Sequence, residues 1–159
     1  MRITIICVGK VKEKYFREAL SEYSKRLSKY CKLDIIEVDD EKTNENAGEH
    51  EMDITMEKEA ARILSKIPDN SYVISTAIEG KKYDSVGLSK MINQKGISGC
   101  SHITFIIGGS LGLHKTVKDV SSELISFSDM TFPHQLMRVI LLEQIYRSYR
   151  IINNEPYHK

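Results

Sequence analysis

The sequence has few cysteines, no long hydrophobic run and almost no net charge, and each shortage excludes a class of protein. Its three cysteines, Cys7, Cys31 and Cys100, are scattered and show no CxxC or Cys/His spacing. We therefore expect mostly buried, reduced thiols, with no disulfide framework and no metal site. The apolar run within residues 1–9 is too short for a signal peptide or a membrane span. We expect a cytoplasmic protein that does not enter a membrane.

The 159 residues are 41% hydrophobic and 28% charged, which predicts one globular domain over residues 1–159. The net charge of +1 conceals a segregation of charge. Residues 1–32 carry nine basic and three acidic side chains, whereas residues 34–59 carry eleven acidic and two basic ones. A basic face of this kind can bind a polyanion, although a solvated amphipathic helix also explains it.

Alternating strand and helix patterns predict an α/β domain with a mainly parallel sheet. Apolar runs predict strands at residues 2–9, 33–38, 72–78, 103–107 and 122–127. Helical spacing predicts helices over residues 13–29 and 50–67, and the second ends at Pro68. The acidic residues 39–49 predict a mobile surface loop.

The last predicted helix, from His134 to about Ile152, is apolar around its whole circumference. Thr131 is the expected capping residue, and Pro133 suits the first turn. A helix that is apolar on all sides needs burial on more than one side. We expect one side to face the sheet and another to face a second subunit, which predicts a homodimer.

Two polar stripes interrupt that helix. His134 and Arg138 lie one turn apart, and Glu143, Arg147 and Arg150 lie on roughly the opposite side. A helix cap and i,i+4 ion pairs explain them in the simplest way. Charged groups on an otherwise buried helix need partners, so a functional role stays open.

Three strand ends offer backbone groups to a ligand. The strand at 103–107 runs into the glycine-rich residues 108–112, residues 126–135 join another strand to the last helix, and residues 78–81 follow a third. Glycines after a buried parallel strand let a ligand approach the backbone, although a plain tight turn is the alternative. We expect one pocket there, able to hold a nucleoside with few charged side chains.

The glycine-rich segment also has to be tested against known motifs. GxGxxG fails because Ser110 stands where its second glycine belongs, and the P-loop fails because the glycine spacing before Lys115 is wrong. Residues 108–112 do fit G-x-S-x-G, so a serine hydrolase using Ser110 stays an alternative. Its partners would be Asp119 or Asp129 and His134 or His158. The short remaining chain and the lack of an upstream oxyanion loop count against it.

Five segments carry a resemblance to a known family. They are IICVGK at 5–10, GK at 80–81, IGGSLGL at 107–113, SDMTFPH from 128 continued through Arg138, and PYHK at 156–159. Their order and spacing resemble the ribosomal RNA large-subunit methyltransferase H family over essentially the whole chain. Members of that family are pseudouridine N3-methyltransferases of the SPOUT class.

The resemblance implies an α/β knot, in which the C-terminal segment is threaded through a loop, and a homodimer that binds S-adenosylmethionine in a bent shape. By position, the implied cofactor contacts are Thr76, Gly108, Gly109, Phe127, Ser128, Asp129, Met130, Thr131 and Phe132. Thr76-Ala77 departs from the family pattern, which has leucine and often an acidic residue there. A contact made through the backbone of Thr76 would tolerate that change.

The implied reaction needs no metal, because the methyl group of S-adenosylmethionine is already activated. The N3–H proton of pseudouridine must leave, so a general base or a stabiliser of the anion helps. Tyr157 and His158, in a tail (153–159) that composition alone predicts to be flexible, are the candidates to position the base and assist proton removal. Arg138 and His134 are candidates to hold phosphate or developing charge.

Positive side chains near the N-terminus are the candidates for contacting ribosomal RNA. They are Lys10, Lys12, Lys14 and Arg17, together with Lys159 at the other end of the chain. So modest a basic face suits recognition of an assembled ribosomal particle by shape better than selection of one nucleotide in 23S RNA alone. A non-catalytic module that only binds S-adenosylmethionine or RNA stays an alternative.

Overall fold

Five parallel strands form one sheet between two layers of helices. The computed structural model describes all 159 residues. In chain order the elements are β1 (Arg2–Val8), α1 (Lys14–Leu27), β2 (Lys32–Val38), α2 (Glu49–Leu64), β3 (Tyr72–Lys82), α3 (Ser85–Ile97), β4 (His102–Ile107), α4 (Lys115–Val120), β5 (Glu123–Ser126) and α5 (His134–Ile152). The strand order is β2-β1-β4-β3-β5, and every pairing is parallel. The predicted α/β class is confirmed.

The two faces of the sheet divide the core because side chains alternate along a strand. Ile5 and Phe105 face a core shared with α3, α5 and the end of α1. Ile6 and Ile106 face a second core shared with α2 and α4. Burial on both faces explains why β1 and β4 read as continuous apolar runs.

Several predictions about these elements are corrected. Helices α3 and α4 were not predicted. Asp84 precedes α3 as its N-cap, and its side chain accepts a hydrogen bond from the Gly87 N–H at 2.6 Å. At α5, Pro133 occupies the N-cap position without a side-chain cap hydrogen bond, so the prediction that Thr131 caps this helix is wrong. The helix gains stability from packing between α1 and α3 instead of from a cap.

Strand β3 is four residues longer than predicted and contains an irregularity. Both Thr76 and Lys81 are in register with Ile125 of β5, so residues 77–80 leave the ladder and return to it. A Cβ atom on Gly80 would lie only 2.6 Å from the backbone N and C atoms of Ile125. Only glycine therefore fits where β3 rejoins β5. Threading of the C-terminal segment through a knot stays a prediction.

The cysteines match the expectation of buried thiols at two of three positions. Cys7 and Cys31 are buried and Cys100 is half-buried, and all three are free. Burial raises the pKa of the Cys7 thiol to about 12, which makes it unreactive at neutral pH. No helix combines the length and the apolar character that crossing a membrane requires.

Candidate cofactor-binding site

A cleft of about 830 Å³ lies where the carboxyl ends of β3, β4 and β5 meet. Its walls come from residues 76–79, 107–113, 125–128 and 130–133, with smaller contributions from α2, α4 and α5. The structure thus brings the three predicted strand ends together. In open parallel sheets, ligands bind at this edge, and the volume falls within the range of pockets for small molecules.

The glycine-rich loop after β4 forms a tight turn against the cleft. Gly112 has a φ of +87°, and its N–H donates to the carbonyl of Gly109 at 3.1 Å. A Cβ atom on Gly108 would lie 2.8 Å from the backbone of Gly112. Glycine is therefore required on steric grounds at Gly108 and on conformational grounds at Gly112.

A buried carboxylate that sequence reasoning missed lies beneath this loop. Glu59 of α2 is 5% exposed, and its Oε2 is 3.2 Å from the Cβ position of Gly109. Its Oε1 accepts a hydrogen bond from the backbone N–H of Glu41 at 3.1 Å. Burial raises the pKa of this carboxyl. The available signal was an acidic residue between Met56 and Ile63 on the apolar stripe of a predicted helix.

Eight of the nine predicted cofactor contacts line the cleft. They are Thr76, Gly108, Gly109, Phe127, Ser128, Met130, Thr131 and Phe132. Asp129 does not line it, and its exposed carboxylate pairs with Lys82 at 2.6 Å. The hydroxyl of Thr76 donates to the carbonyl of Ile106 at 3.1 Å and is therefore engaged within the sheet. This hydrogen bond satisfies the threonine hydroxyl that stands where the family pattern has leucine.

His134 also lines the cleft, in the first turn of α5. Burial, and then the positive charge of Arg138, lower the pKa of this imidazole. A neutral ring is therefore expected at neutral pH. His134 is suited to hydrogen bonding in the cleft, and the predicted role of holding phosphate by charge does not fit.

Arg138 does not reach solvent. Its side chain is 1% exposed, and it donates to Glu37 at 2.8 Å and to the carbonyls of Val8 and Gly9, both at 2.7 Å. Direct contact with a phosphate, as predicted, is incompatible with this burial. The guanidinium instead joins α5 to the carboxyl ends of β1 and β2, where the basic loop begins.

The basic loop between β1 and α1 is held against the start of α5. The N–H of Lys12 donates to Gln135 at 3.2 Å, and the guanidinium of Arg17 donates to the carbonyl of Lys12 at 2.6 Å. Lys10, Lys12 and Lys14 therefore lie near one end of the helix whose first turn lines the cleft. Tyr15, which sequence reasoning missed, is 61% exposed in the same segment and offers an aromatic face.

The C-terminal tail is attached to the opposite part of α5. The Tyr157 hydroxyl donates to Glu143 at 3.0 Å, and Nδ1 of His158 lies 3.4 Å from Arg147 Nη1. Burial, followed by the hydrogen bond to Glu143, raises the pKa of Tyr157 to about 12. Neither tail residue lines the cleft of its own chain, and Lys159 is exposed at the end of the tail.

The polar stripe formed by Glu143, Arg147 and Arg150 makes two separate ion pairs. Glu143 and Arg147 form the expected i,i+4 ion pair at 2.6 Å. Arg150 does not join them and pairs with Glu155 of the tail at 2.5 Å. The tail is thus ordered by side-chain contacts, unlike the flexible segment that its composition predicted.

The chain matches a family model described as "Predicted SPOUT methyltransferase" over residues 1–158. The chain belongs to the SPOUT methyltransferase family. It is 62% identical, over the full length of both chains, to a Methanococcus maripaludis (strain C5) protein named "Putative ribosomal RNA large subunit methyltransferase H". It is 56% identical, again over both full lengths, to the "Ribosomal RNA large subunit methyltransferase H" of Clostridium novyi (strain NT).

A solved structure supports the same fold for this methyltransferase. The structure of a probable methylase family protein from Haemophilus influenzae Rd KW20 superposes with a TM-score of 0.58 at 11% sequence identity. The match covers 99% of this chain and 70% of that one. The SPOUT fold, with its parallel sheet flanked by helices, is therefore the architecture of this chain.

The hydrolase alternative receives no support from the methyltransferase structure. Ser110 lines the cleft, but no hydrogen bond joins its hydroxyl to His134, and His158 lies in the tail beside Arg147, outside the cleft. The turn after Ser110 leads to a helix of only six residues, which begins at Lys115. A nucleophile elbow needs a strand–turn–helix unit with a base beside the serine. No cluster of three metal-ligating side chains is present either.

Proposed function

We propose that this methyltransferase transfers a methyl group from S-adenosylmethionine to N3 of a pseudouridine in large-subunit ribosomal RNA, in the cytoplasm. The observation that carries the proposal is the cleft of about 830 Å³ at the carboxyl ends of β3, β4 and β5, in a chain of the SPOUT family. Full-length relatives at 62% and 56% identity are named for large-subunit ribosomal RNA methylation, which supports this substrate class.

The cleft fits a nucleoside cofactor with an amino-acid end. Its walls combine backbone from three loops with apolar side chains such as Leu111, Leu113 and Phe132. The residues proposed to hold S-adenosylmethionine are Thr76, Gly108, Gly109, Phe127, Ser128, Met130, Thr131 and Phe132. Asp129 is proposed only as a neighbour of this set, since its carboxylate is paired with Lys82.

S-adenosylmethionine supplies an activated methyl group when bound, so the chain has to orient the base and remove one proton. Positioning of this kind accounts for much of the rate of such reactions. A pKa of about 12 keeps Tyr157 protonated at neutral pH, so its phenol does not act as the base. Its hydroxyl is engaged with Glu143, and its ring is the proposed stacking surface. His158 is the proposed group that assists departure of the N3 proton.

The RNA is proposed to meet the basic loop beside the cleft. Lys10, Lys12, Lys14 and Arg17 supply phosphate contacts, and Lys159 adds one from the tail. Arg138 acts behind them by holding the carbonyls of Val8 and Gly9, from which the loop starts. The set is small, so the substrate is an assembled ribosomal particle recognised by shape.

A second copy of the chain is proposed to complete the site. The tail residues lie away from the cleft of their own chain, and the α5 side chains Leu136, Val139 and Ile140 are only half-buried. A homodimer formed across this part of α5 would cover the apolar face and could bring one tail to the other cleft. Light scattering at micromolar concentration is expected to give twice the chain mass, and a monomer would contradict the proposal.

The deciding experiment is the transfer of labelled methyl from S-adenosylmethionine to ribosomes purified from cells that lack this gene. We expect incorporation at a single pseudouridine, mapped by nuclease digestion and mass spectrometry. Naked 23S transcript is the matched substrate and is expected to react much less. Cofactor binding without incorporation would keep the family and reject the substrate.

Replacing His158 by alanine is expected to lower kcat about a hundredfold, the scale of a lost proton-transfer group. Cofactor affinity measured by calorimetry should not change, because His158 does not line the cleft of its own chain. His50→Ala is the control, since His50 is an exposed histidine at the start of α2. Unchanged turnover in His158→Ala would remove this residue from the mechanism.

A further inference from the structure

The chain reverses direction immediately after α5. Asn153 ends the helix, and Asn154 has a φ of +54°, which turns the backbone back toward the last helical turn. The N–H of Glu155 then donates to the carbonyl of Arg150 at 2.8 Å. This turn places the Glu155 side chain beside the residues that follow α1.

The carboxylate of Glu155 accepts hydrogen bonds from three side chains on two parts of the fold. Its Oε2 accepts from the Tyr30 hydroxyl and from Arg150 Nη1, the latter at 2.5 Å, and its Oε1 accepts from Lys29 at 3.3 Å. Arg150 also donates to the Tyr30 hydroxyl at 3.1 Å and to the Pro156 carbonyl at 2.8 Å. Arg150 therefore binds both a side chain of the tail, that of Glu155, and its backbone, at Pro156.

Aromatic rings continue from this cluster to the end of the tail. Tyr30 stacks on Tyr149, with centroids 5.6 Å apart and planes inclined by 12°. Tyr146 contacts Tyr30 edge-on at 6.1 Å and contacts Tyr157 edge-on at 5.0 Å. Packing thus connects the ion-pair cluster to the ring of Tyr157, whose hydroxyl is held in turn by Glu143.

We propose that Glu155 is a positioning residue that, through Tyr30 and Arg150, holds the C-terminal tail so that Tyr157 and His158 meet the target base in one orientation. This inference rests on the function proposed above for those two residues. A terminal segment without such anchors samples many conformations, and ordering it costs conformational entropy. The cluster supplies that order before the RNA arrives, so the tail does not have to be ordered during the reaction.

The cluster differs from an ordinary surface ion pair, which contributes little. One carboxylate accepts from three donors, and two of them, Lys29 and Tyr30, lie 126 and 125 positions earlier in the chain. The pKa of the Glu155 carboxyl is lowered, and the largest cause is the hydrogen bond that it accepts from Tyr30. The tail is joined in this way to the segment after α1 as well as to α5.

The experiment compares the wild-type chain with Glu155→Ala, Glu155→Gln and Tyr30→Phe. We expect Glu155→Ala to lower kcat on ribosomes about tenfold or more, with the Kd for S-adenosylmethionine unchanged. Carboxypeptidase should release Lys159, His158 and Tyr157 faster from the same variant. Glu155→Gln keeps an acceptor oxygen for Tyr30 and Arg150, so it should restore part of the loss. Tyr30→Phe keeps the stacked ring and should show an intermediate effect.

Asp34→Ala is the matched control, because it removes a carboxylate from an exposed pair with Arg2 at 3.7 Å that does not touch the tail. It should leave kcat and carboxypeptidase release as in wild type. Faster release in Glu155→Ala with unchanged turnover would overturn the positioning role. Unchanged release would overturn the anchoring of the tail itself. A wild-type chain without methyl transfer would refute the proposed function, while the release assay would still decide whether Glu155 anchors the tail.

Discussion

Replacing Arg138 by methionine is expected to lower the free energy of unfolding by about 3 kcal/mol, which is the range for removing one partner of a buried ion pair. The guanidinium is 1% exposed and donates to Glu37 and to the carbonyls of Val8 and Gly9. Methionine fills much of the space but leaves the two carbonyls without this donor. The Glu37 carboxylate keeps the Val11 N–H at 3.3 Å and loses its charged partner. Urea denaturation followed by circular dichroism measures the change.

The matched control for Arg138 is Arg62→Met. Arg62 also donates to a carboxylate and a backbone carbonyl, those of Glu41 and Asp39, but its side chain is 37% exposed. Water can replace the guanidinium there, so the expected loss is below about 1 kcal/mol. Equal losses in the two variants would contradict the special role of Arg138. Arg138→Lys should recover little, because one ammonium group cannot reproduce the planar set of donors.

Arg138→Met should also weaken binding to ribosomes, even though the side chain contacts no solvent. The loop that carries Lys10 and Lys12, and that leads into α1 at Lys14, starts at the carbonyls that Arg138 holds. Loosening this loop spreads the positive charges over more conformations, so ordering them on RNA costs more. The expected result is a higher KM for ribosomes, with the Kd for S-adenosylmethionine changed less than the KM.

Replacing Gly80 by alanine is expected to destabilise the fold by about 3 kcal/mol or more, the upper range for overpacking. The new Cβ atom would lie 2.6 Å from the N and C atoms of Ile125 and 2.7 Å from the C atom of Leu124. These are backbone atoms of a hydrogen-bonded strand, and they cannot move aside as the end of a flexible side chain could. Residues 76–79 and 125 line the cleft, so affinity for S-adenosylmethionine should fall as well.

Gly48→Ala is the control for this substitution. No atom lies within 4 Å of the Cβ position of Gly48, which precedes α2 in extended conformation. Gly48 is the N-cap residue of α2, where alanine is less favourable than glycine, so its expected loss is below about 1 kcal/mol. The measurement is thermal and urea unfolding of both variants, with calorimetric titration of the cofactor. A Gly80→Ala chain as stable as wild type would show that β3 and β5 can separate at this point.

The strands were predictable because burial on both sides leaves a clear mark in sequence. β1 and β4 carry apolar residues at almost every position, and both were predicted within one residue of their bounds. Helix α3 was missed because it contains Gly87 and Gly96 and a weak apolar pattern. It forms because Leu88 and Ile92 pack into the core shared with α5, which local patterns do not reveal.

The candidate site residues also include some whose positions were predictable from the sequence and some whose positions were not. Glycines after β4 and the loop before α5 pointed to a ligand pocket, and the structure brings them together in one cleft. The charged residues were harder to assign, because their environment depends on distant parts of the chain. Arg138 is buried by contacts with residues 8, 9 and 37, more than 100 positions away. Glu155 is held by Tyr30, 125 positions away.

The sequence by itself determined the α/β class, the parallel strands and, through its motifs, the family of methyltransferases. Those features follow from local periodicity and from glycines at turns, where the backbone adopts conformations that other residues avoid. Only the tertiary structure decided which polar groups reach the cleft, which are buried and which hold the tail. The reason is physical: burial and hydrogen bonding of a side chain are set by whatever packs against it, and those neighbours come from remote segments.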